Sequence, residues 1–145
     1  MGISVIPELV SSLDESDESG LEEYIYALAI EDITDIDLKG NNQPWKDGQE
    51  FKREYKAFVR NAEDHINYII ENKELTAEEK VTELEEFGVY ALPYIEEVKG
   101  NGDNQFDKAS TNIKKDFCKN TKRGKITLKE TEIMKKTMKN IIKDK

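Results

Sequence analysis

The sequence predicts an all-α protein of six or seven helices packed as an antiparallel bundle. Apolar residues recur at steps of three and four along most of the chain, Gly-, Asn- and Asp-rich stretches separate these segments, and none shows the alternation typical of a strand. With 145 residues, 37% of them hydrophobic and 37% charged, the chain is long enough to bury a core without disulfides. We therefore expect a single helical domain over residues 1–145.

Two helices are expected near the N-terminus. The first spans residues 7–13, because Pro7 suits a first turn, where an N–H has no helical partner. An acidic, serine-rich stretch follows that is too polar to pack. Ser19 then lies three residues before Glu22, the spacing of a capping box, which predicts an apolar helix over residues 20–33.

A long loop and the longest helix are expected next. Residues 34–48 contain Gly, Asn and Pro and are expected to form the loop, which Trp45 pins to the core. The helix is expected over residues 49–72, because one apolar stripe runs along this segment while most charged residues fall off it. The stripe consists of Phe51, Tyr55, Phe58, Ala62, Ile66 and Ile69.

Two further helices are expected in the centre of the chain. Thr76 and Glu79 have capping-box spacing and predict a helix over residues 76–87. The next segment, residues 89–98, is apolar enough to be buried on more than one side. Because Pro93 lacks an N–H, this helix is expected either to begin close to it or to bend there.

The C-terminal third predicts two amphipathic helices. One is expected over residues 105–119, after a Gly- and Asn-rich turn, and a basic turn follows it. The last helix begins at Thr127, which has a capping-box partner in Glu130. These helices are expected to pack on the rest of the molecule, because the apolar side chains of the last one need cover. Those side chains are Ile126, Met134, Met138, Ile141 and Ile142, with Ile133 at the edge.

Charge is distributed unevenly along the chain. Residues 1–99, the acidic body, contain 25 acids and 9 bases, whereas residues 100–145, the basic segment, contain 6 acids and 13 bases. The two parts are expected to attract each other, an effect that fades beyond about 10 Å at physiological salt. Either this attraction is the whole role of the charge, or the acidic body also offers an anionic surface to a cationic partner.

The segment between Thr76 and Gly102 resembles the junction of two helices in HEAT-like repeat proteins. The resemblance is carried by Phe87-Gly88, then Ala91-Leu92-Pro93-Tyr94-Ile95, then Val98-Lys99-Gly100. It covers 27 of the 145 residues. The resemblance implies a short HEAT-like stack of helix pairs as an alternative to a bundle, with a curved surface used for binding.

No catalytic residue, metal site or cofactor is predicted, and the protein is expected not to be an enzyme. His65 is the only histidine, and no partner for a general-base role can be named. Cys118 is the only cysteine, which excludes internal disulfides and Cys-rich zinc sites; a buried, inert thiol is expected. Residues 35–46 have the opening acids and the glycine of an EF-hand loop, but Lys39 and Lys46 occupy ligand positions.

The expected function is protein–protein binding. The charge distribution and the missing catalytic motifs predict a small acidic inhibitor or immunity-type protein that covers a cationic partner such as a toxin or nuclease. Its contacts are expected in the acidic stretches around the second helix, with Trp45 or Tyr26 as an apolar anchor. The candidate partner-binding residues are Asp14, Glu15, Asp17, Glu18, Tyr26, Asp32, Asp35, Asp37 and Trp45.

Two alternatives stay open: a secreted or envelope-associated helical-repeat scaffold whose leader was removed, and a hydrolase with a carboxylate-only site. Nucleic-acid binding is disfavoured, because the acidic body repels phosphates. No unbroken apolar run exceeds six residues, so no membrane span is predicted. The N-terminus has no basic, apolar leader, which favours a cytoplasmic location. The sequence leaves the oligomeric state open.

Overall fold

In a computed structural model, the chain is described at residues 2–18, 20–36, 38, 45–122 and 124–143. Within these residues it forms seven α-helices and no strand, which confirms the predicted all-α class. The helices are α1 (Ile6–Glu15), α2 (Leu21–Thr34), α3 (Gly48–Glu71), α4 (Ala77–Glu85), α5 (Leu92–Gly100), α6 (Asp107–Thr121) and α7 (Leu128–Lys143), with short 3₁₀ helices at Ile3–Val5 and Gly88–Tyr90. None of these described helices is long and apolar enough to span a bilayer.

The long helix α3 contacts α1, α2, α4 and α7 and so organises the bundle. It begins where the Asp47 carboxylate accepts a hydrogen bond from the Glu50 N–H at 2.9 Å, which satisfies one of the free donors of the first turn. The predicted apolar stripe is buried with one exception: Phe58 is half-buried, and Val59 takes the inner position. Steps of three and four both keep a helical face, so the pattern alone does not choose between these two residues.

The N-terminal helices α1 and α2 pack on each other. Pro7 lies in the first turn of α1, as predicted. The capping box predicted for Ser19 and Glu22 is wrong. Helix α2 begins at Leu21, so Glu23 reaches back and accepts a hydrogen bond from the backbone N–H at position 20, at 2.9 Å. Ser19 itself lies outside the described residues.

The connection between α4 and α5 follows from local sequence signals. At the start of α4, the Glu79 N–H donates to Thr76 Oγ1 and the Thr76 N–H donates to Glu79 Oε1, both at 3.1 Å. This confirms the predicted capping box. Beyond α4 the chain turns at Gly88, whose φ of 57° lies in the left-handed region that glycine tolerates. Pro93 lies in the first turn of α5, so that helix begins close to the proline.

The basic segment packs on the acidic body, as predicted. Helix α6 contacts α4 and α5, and α7 contacts α1, α3 and α5. At the start of α7, the Thr127 N–H donates to Glu130 Oε1 at 3.0 Å and the Glu130 N–H donates to Thr127 Oγ1 at 3.1 Å, which confirms the third capping box. The inner face consists of the buried Ile126, Met134, Met138 and Ile141 and the half-buried Ile133 and Ile142.

Tyr90 is the largest fully buried side chain of the core. Its ring packs against those of Phe58 and Tyr55, with centroids 5.1 and 6.2 Å away, and its hydroxyl donates to Tyr55 Oη at 3.0 Å. Burial raises the pKa of Tyr90 to about 12 and that of Tyr55 well above its usual value. Both hydroxyls are therefore neutral at physiological pH and act as hydrogen-bonding groups.

Candidate functional site

The predicted partner-binding residues are divided between several parts of the structure. Four of them come together between the end of α1 and the first turns of α2: Glu15, Asp17, Glu18 and Tyr26. Of the other five, Asp14, Asp32, Asp35 and Trp45 do not join this group. Asp37 lies outside the described residues.

The four residues that converge line an open hollow of about 560 Å³, here named the acidic hollow. Among the described residues, its lining consists of Ser12, Glu15, Ser16, Asp17, Glu18, Glu22, Glu23 and Tyr26. The exposed acids of this set form its rim: Glu15, Asp17, Glu18 and Glu22. Glu22 and Glu23 were not among the predicted site residues, because adjacent acids on a helix point about 100° apart and do not form a pair by themselves.

Polar side chains of α3 hold the loop that forms one wall of the hollow. The Gln49 side-chain amide donates to the carbonyls of Ser16 and Glu18, each at 2.8 Å. The Lys52 ammonium donates to the carbonyls of Leu13 and Ser16, at 3.1 and 3.2 Å. Carbonyls at the end of a helix have no helical partner. The α3 side chains therefore supply hydrogen bonds to free carbonyls at the end of α1 and hold residues 16–18 in place.

Glu23 ties the same loop to the start of α2. One carboxylate oxygen accepts from the Ser16 hydroxyl at 2.9 Å, and the other accepts from the Gly20 N–H at 2.9 Å. Hydrogen bonds hold the pKa of the Glu23 carboxyl below its usual value of 4.5. The largest effect comes from the Ser16 hydroxyl, and the backbone of Glu23 and Gly20 adds to it. Glu23 is thus a positioning residue, and the exposed rim acids are the groups that can meet a partner.

The remaining predicted acids have other surroundings. Asp14 forms an ion pair with Lys56 at 2.6 Å and lines a separate groove of about 400 Å³ between α1 and α7. Asp35 follows the end of α2 and accepts a hydrogen bond from the Asn120 side chain at 2.9 Å. Asp32 is exposed in the last turn of α2. A helix as long as α2 spans about 20 Å, so these two acids lie at the opposite end of α2 from the rim.

Trp45 is not available as an apolar anchor for a partner, because only 4% of its surface is exposed. Its ring packs against Tyr24 and Phe51, with centroids 5.0 and 5.2 Å away, and its indole N–H donates to a Glu31 carboxylate oxygen at 3.2 Å. The expectation that Trp45 contacts a partner is therefore corrected, whereas the prediction that it pins its segment to the core is confirmed.

Beside the hollow, the outward face of α2 is apolar. Leu21, Ile25 and Leu28 have 74%, 51% and 36% of their surface exposed, and steps of four and three place them on one side of the helix. These three residues are named the α2 stripe. The opposite side of α2 packs in the core through Ala27, Ile30 and Ile33. Sequence reasoning missed the stripe, because a helix that is apolar all round gives no sign of which side is covered.

The other reactive side chains do not add a catalytic arrangement to the described part of the chain. Among the described residues, no three His, Cys, Asp or Glu side chains are grouped so that they could hold a metal ion. His65 is exposed and packs edge-on against Phe87, with ring centroids 5.3 Å apart. Cys118 is half-buried rather than buried, and its thiol donates to the Gly124 carbonyl at 3.3 Å. The expected burial fails because Cys118 lies in the last turn of α6.

We expect the stability of the protein to fall in acid partly through Glu23. Because its folded-state pKa is lowered, its contribution is fully present above about pH 4.5 and is lost as the pH falls through the lower folded value. Replacing Glu23 by Gln should therefore flatten the decline of the melting temperature below pH 5, measured by circular dichroism. Glu22→Gln, at the exposed neighbour, is the control and should keep the wild-type slope. Identical pH profiles for wild type and Glu23→Gln would contradict the assigned role.

Comparison with known protein families, with characterised proteins and with solved structures yields no match to this chain. The HEAT-like resemblance between Thr76 and Gly102 therefore stays a prediction.

Proposed function

We propose that this protein acts by binding another protein, and that the acidic hollow covers a cationic surface of that partner. In its most concrete form, it is a small inhibitor or immunity-type protein for a basic toxin or nuclease. The observation that carries the proposal is the convergence of four exposed carboxylates on the rim of one hollow. Charges concentrated in this way speed up encounter with an oppositely charged partner.

Two basic side chains of α3 on this side of the molecule, Lys52 and Lys56, are engaged in the fold. Lys52 donates to two backbone carbonyls of the loop, and Lys56 pairs with Asp14. Ion pairs between the basic segment and the acidic body occur elsewhere, at Lys99–Asp107 (3.6 Å) and Lys114–Glu96 (3.9 Å). None of the ion pairs between described residues involves a rim acid, which supports binding over a purely internal role for the charge.

A nuclease is a fitting partner on physical grounds. An enzyme that binds a nucleic-acid backbone needs lysines and arginines that neutralise phosphates. A rigid hollow lined by carboxylates offers those cations an alternative set of anionic oxygens. Because the α3 side chains and Glu23 hold the loop in place, little of the binding free energy is lost in ordering it.

The test compares capture of basic proteins by two variants of equal net charge. The hollow variant carries Glu15→Gln, Asp17→Asn, Glu18→Gln and Glu22→Gln. The control variant neutralises four exposed acids outside the hollow and carries Glu71→Gln, Glu74→Gln, Glu78→Gln and Glu132→Gln. Each is immobilised and exposed to lysate of the source cells at low salt, and the captured proteins are identified by mass spectrometry.

We expect wild type and the control variant to retain one and the same basic protein, and the hollow variant to lose it. Raising the salt concentration should release that protein, since screening weakens its attraction to the rim. Equal capture by all three proteins, or a loss shared by both variants, would show that the hollow is not the binding surface and would overturn the proposal.

A further inference from the structure

The α2 stripe is the most extended apolar feature on the described surface of α2. Its three side chains follow one another along the helix and point away from the face that packs on the core. Exposed apolar side chains at helical spacing are typical of a surface that receives another helix. The stripe is also part of a well-fixed helix, since Glu23 anchors its first turn and Ile30 and Ile33 are buried beneath it.

Carboxylates flank the first end of this stripe. Glu22 lies between the stripe and the acidic hollow, whose lining it shares with Asp17 and Glu18. A molecule that lies on the stripe therefore meets apolar surface along its length and negative charge where α2 begins.

The charges favour one kind of occupant over the others. A second copy that paired through the same stripe would bring together two acidic bodies, each with 25 acids and 9 bases, and like charges destabilise such contacts. An anionic lipid surface would be repelled in the same way. A helix that carries lysines or arginines beyond one end of its apolar side matches both the stripe and the hollow rim.

We propose that the α2 stripe is the docking site for a cationic amphipathic helix of the partner protein. This inference rests on the proposed function and specifies the element of the partner that is recognised. The apolar side of that helix packs on Leu21, Ile25 and Leu28, while its cationic end contacts the hollow rim. The line from Leu21 to Leu28 covers about 10 Å, so the partner helix needs at least about two turns.

The test uses two synthetic peptides of about 16 residues, long enough to cover the stripe. One places leucines at steps of three and four beside a lysine-rich end; the other has the same composition in scrambled order and forms no apolar side. Binding to the full chain is measured by fluorescence anisotropy, and the binding surface is mapped from amide shifts in nuclear magnetic resonance spectra. Helix formation by the bound peptide is followed by circular dichroism.

Two variants separate the stripe from apolar surface in general. The stripe variant carries Leu21→Gln and Ile25→Gln, which keep good helix-forming residues at exposed positions. The control variant carries Tyr68→Gln and Leu128→Gln, at two other highly exposed apolar side chains. We expect the stripe variant to bind the amphipathic peptide about tenfold more weakly and the control variant to bind it as wild type does.

The outcomes distinguish this inference from the proposed function. Equal affinity of wild type for both peptides, with no effect of the stripe variant, overturns helix docking but leaves binding by the hollow in place. Failure of wild type to bind the amphipathic peptide also overturns helix docking. Binding of a partner by the hollow is then tested separately by the capture experiment. If wild type alone sediments as a dimer and the stripe variant as a monomer, the occupant is a second copy and the cationic helix is rejected.

Discussion

Replacing Tyr90 by alanine is expected to lower the free energy of unfolding by about 3–5 kcal/mol. The ring is fully buried between Phe58 and Tyr55, and its hydroxyl supplies a hydrogen bond to Tyr55. Removing the side chain leaves a cavity and takes away the hydrogen bond that Tyr55 Oη accepts from the Tyr90 hydroxyl. A domain of this size has a total stability of about 5–15 kcal/mol, so the change removes a large share of it.

Urea unfolding followed by far-ultraviolet circular dichroism measures this effect. Tyr90→Phe keeps the ring and loses only the hydroxyl, and it should cost about 1 kcal/mol. Tyr68→Ala is the matched control, because Tyr68 is 64% exposed on α3. It should change stability by at most about 0.5 kcal/mol. If Tyr68→Ala destabilised the protein as much as Tyr90→Ala, the assignment of Tyr90 to the core would be wrong.

The second large effect is expected at Gly48, where α3 begins against α2. A Cβ at this position would lie 2.9 Å from the carbonyl carbon of Glu23 and 3.0 Å from its carbonyl oxygen. Backbone atoms cannot rotate aside as a side chain can, so Gly48→Ala must push the two helices apart. We expect a loss of about 3 kcal/mol. The displacement also moves Glu23, which holds Ser16 and Gly20.

Gly100→Ala is the control for Gly48→Ala. Gly100 is the last residue of α5, and a Cβ there meets no atom within 4 Å. Alanine also favours the helix over glycine by up to about 1 kcal/mol, so this variant should be as stable as wild type or slightly more stable. The amide signals of residues 16–18 should shift in Gly48→Ala and stay in place in Gly100→Ala. A melting temperature of Gly48→Ala equal to that of wild type would contradict the close approach.

The helices whose signals are local were predicted well from the sequence. Helix α3 has a continuous apolar stripe, and α4 and α7 each begin with a capping box whose two partners lie three residues apart. The start of α2 was placed wrongly because Glu22 and Glu23 are adjacent, and a shift of one residue decides which of them reaches back. A shift of one residue in the start of the helix does not change the order of apolar residues, so the hydrophobic pattern does not indicate which glutamate caps α2.

The candidate site was predicted only in part, because its geometry depends on long-range contacts. Glu15, Asp17 and Glu18 were identified from local acidity, but Gln49 shapes their loop from a position about thirty residues further along the chain. No periodicity in the sequence indicates that pairing. Trp45 was predicted both to pack in the core and to contact a partner. Its indole is buried against the rings of Tyr24 and Phe51, so it is not exposed to a partner.

The contact between α1 and α7 has a consequence for the synthesis of this protein. The ribosome makes α1 before α7, yet the two helices pack on each other and the 3₁₀ helix at Ile3–Val5 rests on α7. Ile3 is fully buried in the finished molecule, so a nascent chain that still lacks α7 presents part of that apolar surface to its surroundings. Such surfaces are prone to aggregation, and the first residues of α1 and the 3₁₀ helix before it reach their native environment only after α7 has been made.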